Sequence, residues 1–526
     1  MRSYCYGFVA ACCFFAGIPL SGCQADTGKP ATGSVAARAY YISTDGNDNN
    51  DGSRNNPWKT IEKVKGVVLQ AGDSVLLQGG QTFAGSLLVK YNTIGTAEKP
   101  VVIASYGNGR AVIGSGNGAG VVISNSSYIQ LQNLQVKGAG RKDGNTTSGV
   151  SIAYSKNVRI DGIDVSGYQK SGLLIRNCSE MTVLQVNAHD NGYAGIAVDG
   201  VNFSKTDNRN IDIRYCRAEN NPGDPSNRNN HSGNGIIVSQ CTRVNIAWCT
   251  ATNNGWDMPR TGNGPVGIWA WEADSLTIEH CLAYRNKTSP GGGDGGGFDL
   301  DGGVTNSVIQ YCLSYENEGS GIGLFEYNQA SPWYNNTIRY NISINDGNVS
   351  AARAGIFIWN ASTTHKLKDC FIYNNTVYNT QQAAINYAPL ENANEGFVFY
   401  NNILAGKKEI ITGTPVTGKY LGNCWWSLDD GFHVGQLTVF ADWANQQQQE
   451  LWNGNLAGIN VNPGFPMTPL LNISDAAALP AFPAFKAAHP ALLNGGIDIQ
   501  QVAGINAGGK DFNGNAAAPK SIGASF

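Results

Sequence analysis

Eight times between residues 149 and 359 the chain repeats a glycine followed by a short run whose second and fourth residues are apolar. The copies read GVSIA (149–153), GLLIR (172–176), GIAVD (195–199), GIIVS (235–239), GIWAW (267–271), GFDLD (297–301), GIGLF (321–325) and GIFIW (355–359). Alternation with period two marks each copy as a strand, and spacings of 23 to 40 residues mark one supersecondary unit per repeat. No amphipathic helical pattern lies between the copies, which excludes a βαβ sheet and leaves an all-β solenoid, the right-handed parallel β-helix. The glycine opening each strand is expected to permit the sharp corner between one sheet and the next.

A second series runs in step with the first. Cys216, Cys249, Cys281 and Cys312 each close the same frame, I-R-Y-C, I-A-W-C, I-E-H-C and I-Q-Y-C, which continues with asparagine in I-R-Y-N (338–341) and Y-N-N (373–375 and 400–402). One small side chain per coil, each above the last, is what a stacked interior ladder needs. These cysteines are therefore expected to be free and buried, although twelve cysteines in an exported chain would otherwise suggest disulfides.

The remaining boundaries follow from composition. With 42% hydrophobic and 10% aromatic residues the chain can bury a sizeable core, and a net charge of -3 without a basic stripe excludes a nucleic-acid partner. Arg2 and the apolar run 7–20 fit a signal peptide and are too short to span a bilayer. That run ends in Leu20-Ser21-Gly22-Cys23, which resembles a bacterial lipobox. The resemblance implies cleavage before Cys23, lipidation of its sulfur, and a monomeric protein tethered to the outer membrane, to which Gln24 directs it. The predicted organisation is a signal over 1–22, a flexible tether over 23–38, the β-helix over 39–425 with an amphipathic helix at 60–68 capping its first coil, and an irregular C-terminal cap and side elaboration over 426–526.

In a strand whose second and fourth residues face inward, the third and fifth face outward. The third column then reads Ser151, Leu174, Ala197, Ile237, Trp269, Asp299, Gly323, Phe357, and the fifth reads Ala153, Arg176, Asp199, Ser239, Trp271, Asp301, Phe325, Trp359. Glu272 and Glu326 stand one residue further on. Coils ~4.8 Å apart make Glu272, Asp299, Asp301 and Glu326 neighbours on one outer face, beside Phe325 and beside Trp269, Trp271 and Trp359, the three tryptophans being expected to be partly exposed. Neighbouring carboxylates raise one another's pKa and so supply an acid and a base, the apparatus of glycosidic bond cleavage, while aromatic faces suit the C–H surfaces of sugars. Asp301 with Glu326 suits the close spacing of a retaining pair, and Glu272 with Glu326 the wider spacing of an inverting one; the sequence leaves both open. Asp301 is expected to serve as nucleophile or base, Glu326 as proton donor, and Asp299 and Glu272 to position substrate or tune the pair. Asp199 and His231 are assigned to the substrate-binding rim.

The opening YYISTDGNDNNDGSRNNPWKTI (40–61), with GGGFDLDGGVTNSVIQY (295–311) and NNTIRYNISINDG (335–347), resembles secreted bacterial right-handed parallel β-helix proteins of the pectate-lyase-like superfamily. That set includes glycoside hydrolases and polysaccharide lyases, and the resemblance implies an Asp on one coil with a Glu on the next, Asp301 and Glu326, as a catalytic pair. The expected function is an extracellular glycoside hydrolase acting on a neutral or weakly charged polysaccharide or oligosaccharide. No cofactor is required for this; Ca²⁺ held by Asp299 and Asp301 with Glu272 or Glu326 is the alternative. Two other readings stand beside it. A polysaccharide lyase would need cations or calcium to neutralise a uronate, and a non-catalytic glycan-binding lipoprotein would have no use for paired acids.

Overall fold

The computed structural model describes residues 36–526, apart from 350–353, 389–393, 414–416, 470, 483–484 and 487–488. The expected signal, the expected lipidation site Cys23 and all but the last residues of the expected tether lie outside the described residues. Residues Ala37–Phe526 form one compact unit. It is a right-handed parallel β-helix. A 13-stranded sheet makes one side, and a 24-stranded sheet bends around the other two, joined at the corner by the unbroken 14-residue strands Asn234–Ala247 and Val266–Glu279.

The eight glycine-led strands lie one above another in register. Val150 pairs with Leu173, Leu173 with Ile196, Ile196 with Ile236, Ile236 with Ile268, Ile268 with Phe298, Phe298 with Ile322 and Ile322 with Ile356. All are buried in one core, so the period-two reading holds through these coils.

The glycines, however, do not make the corners. None of the eight has a positive φ. They serve close approach: a Cβ on Gly172 would stand 2.8 Å from Gly195 O, one on Gly267 2.8 Å from Gly297 O, and one on Gly321 2.8 Å from Gly355 O. Gly267→Ala would also press on Asn286 Nδ2 at 2.7 Å. Both neighbours are fixed, so this substitution is expected to lower stability by about 1–3 kcal/mol, read as a fall in urea midpoint at unchanged m-value.

The sharp turns are made instead by the residue ahead of each ladder position. Tyr215, Trp248, His280, Tyr311 and Tyr340 have φ of 50–58° and turn the chain in left-handed geometry. Their rings form a stack with successive centroids 6.4, 4.3, 5.0 and 5.5 Å apart. Behind them run the predicted thiols. All eight described cysteines are free and buried, and Cys249 N donates to Cys281 Sγ (3.4 Å), Cys281 N to Cys312 Sγ (3.4 Å) and Cys312 N to Asn341 Oδ1 (3.0 Å). The ladder continues through Asn375, Asn402 and Asn423. It ends on Glu450, which accepts from Asn423 Nδ2 (2.7 Å) and Trp425 Nε1 (2.8 Å). A second ladder of Asn191, Asn221, Asn254, Asn286, Asn317 and Asp346 closes the opposite turn. In each step a side-chain acceptor, a thiol sulfur, an amide oxygen or a carboxylate oxygen, satisfies a turn N–H that no strand could reach.

Both ends are covered. The predicted helix at 60–68 is a short 3₁₀ helix, Ile61–Gly66, with Ile61 and Val64 buried. At the other end Trp443 of the helix Phe440–Gln447 packs 4.7 Å from Trp425. The segment after it returns along the 13-stranded sheet, where Ile473, Phe482, Phe485 and Phe512 cover Tyr284, Tyr315 and Tyr378.

Candidate active site

The outward columns of the glycine-led strands stand in the register that alternation predicts. Ile237 pairs with Trp269, Trp269 with Asp299, Asp299 with Gly323 and Gly323 with Phe357. In the next column Ser239 pairs with Trp271 and Phe325 with Trp359, and Asp301 lies between these pairs with its N–H on Ala270 O (2.8 Å).

A cleft of about 840 Å³ opens over this face. Of the residues assigned from sequence, Asp301, Trp269, Trp271, Phe325, Trp359 and His231 line it; Asp299, Glu272, Glu326 and Asp199 do not. Three expectations are corrected here. Trp269 is buried, not partly exposed, and Phe325 is buried on the same face, because loops entering the strands close over the outer face and make it a second apolar packing surface. Trp271 and Trp359 do remain partly exposed. Asp299, Glu272 and Glu326 are buried beneath the wall at 2%, 5% and 0% exposure. Asp199 is held by Arg176 at 2.7 Å, an ion pair away from the cleft lining.

The buried acids have structural partners. Glu272 Oε1 accepts from Ser331 N (2.6 Å), and the carboxyl lies against Gly303, whose φ of +74° and missing Cβ make room for it. Glu326 Oε1 accepts from Tyr327 N (3.1 Å), and burial, with the charges of Asp301 and Glu272, pushes its pKa up to about 8. A Cβ on Gly323 would stand 3.2 Å from Asp299 Oδ1, so the residue opposite Asp299 has to be small.

Asp301 keeps part of its surface in the cleft. Burial raises its pKa to about 7; one hydrogen bond from Gly302 N (2.7 Å) works against this, and the charges of Asp294 and Glu272 add to it. Asp294 is the second carboxylate in the lining. It precedes the strand Gly296–Leu300 that Asp301 follows, and its own backbone is left-handed (φ 54°). Gly264 N from the neighbouring loop donates to its Oδ2 (2.7 Å). Asp294 lies in an aperiodic Gly-rich turn rather than in a strand column, so the alternation that picks out Asp299 and Asp301 does not reach it. The same loops bring Asn230, Thr261 and Asn263 to the wall, and Tyr327 follows Glu326 into it. Burial pushes the Tyr327 phenol well up, and Asp301, Glu272, Glu326 and Asp299 push it further, so it is a neutral donor among four acids.

His231 sets one side of the aromatic lining. Its ring packs edge-on to Trp269 at 4.8 Å, and Asn234 joins the two: Asn234 Nδ2 donates to His231 Nδ1 (3.1 Å) while Asn234 Oδ1 accepts from Trp269 Nε1 (3.1 Å). Burial first, and the Arg260 charge second, lower the imidazole to about 4, so it is neutral with its proton on Nε2. Among the described residues no group of three His, Cys, Asp or Glu side chains converges as a metal-ligand cluster.

Comparisons with known proteins agree with the architecture. The family described as "Pel9A-like, right handed beta helix region" matches residues 40–267, and the family described as "Right handed beta helix region" matches residues 226–404. A lacto-N-biosidase of Bifidobacterium longum subsp. longum is 26% identical over 487 residues, an alignment covering 71% of this chain and 29% of that protein. The chain thus spans under a third of that relative's length. Similar solved structures include a GH136 lacto-N-biosidase from Eubacterium ramulus, with 18% identity, TM-score 0.41 and coverage of 73% of this chain and 66% of that one. Pectate lyase Pel9A is another, with 15% identity, TM-score 0.42 and coverage of 93% and 98%.

Proposed function

We propose that this chain, a right-handed parallel β-helix protein of the pectate-lyase-like kind, is a glycoside hydrolase that cleaves a neutral glycan in the cleft above Trp269 and Asp301. The observation that carries the reading is the pair of carboxylates in an aromatic-lined cleft, Asp301 with its pKa raised to about 7 and Asp294 contributing to that rise. Two carboxyl groups in different environments are the acid and base that glycosidic cleavage requires.

In this reading Asp301 is the proton donor. Near neutral pH much of it is protonated, and it delivers the proton to the glycosidic oxygen as the bond to the anomeric carbon breaks. Asp294, fixed by Gly264 N, supplies the anion that meets the developing oxocarbenium charge or activates the water that attacks it. Trp271, Phe325 and Trp359 give the sugar apolar faces, and Tyr327, Asn230 and Asn263 supply hydrogen-bonding groups for its hydroxyls. Relative to the sequence expectation, the donor moves from Glu326 to Asp301 because Glu326 lies behind the wall.

The lining favours a neutral substrate. Among the described residues of the cleft there is no Lys or Arg, so a uronate carboxylate would face two acids with no cation opposite it. The lacto-N-biosidase relative makes a lacto-N-bioside the first substrate to try. The test is digestion of a chromogenic lacto-N-bioside and a panel of neutral and uronate-containing oligosaccharides, with products identified by mass. Release of hydrolysed neutral sugars supports the reading, and products with an unsaturated end from uronates alone would replace it with a lyase.

A further inference from the structure

One turn between the glycine-led strands and those after the corner is unlike its neighbours. The two coils before it turn in two residues and the two after it run through the corner as unbroken strands, whereas the coil after strand Ala194–Asp199 makes an excursion over 200–207 before strand Asn208–Arg214 begins; connections of similar length return only further along, at 301–307, 327–333 and 361–367. The excursion is internally braced: Asp207 Oδ2 accepts from Val201 N (3.0 Å) and Asn202 N (2.7 Å), and Phe203 N donates to Gln240 Oε1 (3.1 Å).

Two of its residues point outward from this brace. Phe203 is 75% exposed and has a φ of 52°, an uncommon, costly conformation for a bulky residue, and its ring lines the cleft 6.0 Å from that of Trp271. An apolar ring exposed in a strained conformation gains nothing for the fold. Lys205 reaches three coils along the helix, where its Nζ donates to Thr305 Oγ1 (3.2 Å). Thr305 in turn donates to Asp274 Oδ1 (2.8 Å). The carboxylates acting on the Lys205 charge are Glu272, Asp274 and Glu326. Two of these are buried acids that the chemistry above leaves without a part.

We propose that the loop 200–207 is the specificity element of the site: Phe203 extends the Trp271 face into one aromatic platform for the sugar ring next to the scissile bond, and Lys205 is the positioning residue that docks the loop on Thr305 and, through it, on Asp274. The proposal rests on the reading of the cleft as a glycan site.

The experiment compares Phe203→Ala, Lys205→Met and Lys205→Arg with the wild type on an oligosaccharide that the wild type cleaves, together with amide hydrogen exchange of the loop. Phe203→Ala is expected to raise KM about tenfold with kcat within about twofold and loop exchange unchanged. Lys205→Met is expected to raise KM several-fold and speed exchange over 201–207, and Lys205→Arg, which keeps the charge, is expected to restore both. An unchanged KM in Phe203→Ala, or a Lys205→Met protein with unaltered loop exchange, overturns the proposal. If the wild type cleaves nothing, the same oligosaccharides are titrated against tryptophan fluorescence. Binding that Phe203→Ala weakens then supports the aromatic platform while the hydrolase reading falls, and absence of binding overturns both.

Discussion

Asp301→Asn is expected to lower turnover by roughly 10²–10⁴-fold while leaving glycan affinity and thermal stability close to wild type. The amide keeps the shape of the carboxyl and can still accept from Gly302 N, but it has no proton to give. The leaving group separates this role from others. A sugar leaving group needs the donor and should show the full loss, whereas an activated aryl leaving group departs without a proton and should show a much smaller one. Asp294→Asn should impair both substrates alike, since the developing positive charge is common to them. The pH profile carries the same information. Asp301 acts in its protonated form, so with a pKa of about 7 the alkaline limb of wild-type kcat/KM should fall through that region, and this limb should vanish in Asp301→Asn. The acid limb belongs to the group that acts ionised, Asp294, and should persist.

Replacing Glu450 with Gln should change how stability depends on pH. Burial raises this carboxyl from 4.5 to about 7, against hydrogen bonds from Asn423 and Trp425. A carboxyl whose folded pKa is raised favours the folded state in its protonated form. Its contribution is therefore complete below pH 4.5, declines as pH rises toward 7, and is gone above it. At roughly 1.4 kcal/mol per pH unit the shift corresponds to about 3 kcal/mol. Glu450→Gln stays neutral and can still accept from Asn423 and Trp425, so its advantage over wild type should grow from near zero at pH 4.5 to about this size above pH 7. Asp346, Asp301 and Glu326 are raised as well, and they set the slope common to both proteins. Urea midpoints measured from pH 4 to 8 give the difference directly. Parallel curves for the two proteins would show that Glu450 is no more protonated at the end of the ladder than in solution.

Legibility in the sequence followed periodicity. The strands, their registers and the buried thiols could be read because a stacked coil imposes the same choice at the same place in every repeat, so Val150, Ile236 and Phe298 announce a single column. Handling of the turns was less transparent. The strand-opening glycines looked like corner residues, yet they are the places where neighbouring coils come closest, and that requirement arises between coils and not within one. Exposure was misjudged for a related reason. Alternation tells which way Trp269 and Asp299 point, but not that 200–207 and the loops around 230, 262 and 293 close over that face. Asp294 belongs to such a loop, and the hydrogen bond from Gly264 that aims it joins segments 30 residues apart. The packing of 473–526 on Tyr284, Tyr315 and Tyr378 was equally hidden, because a segment that folds back on a finished helix needs no period of its own.

The central claim is hydrolysis at the cleft that Asp301 and Asp294 share, and digestion of a cleaved neutral oligosaccharide in ¹⁸O-water tests it most directly. The account predicts that wild-type products carry one solvent oxygen at the new reducing end and that Asp301→Asn, still able to bind the sugar, forms them at a small fraction of the rate. Products with an unsaturated end and no solvent oxygen, or an Asp301→Asn protein that labels product as fast as wild type, would contradict it.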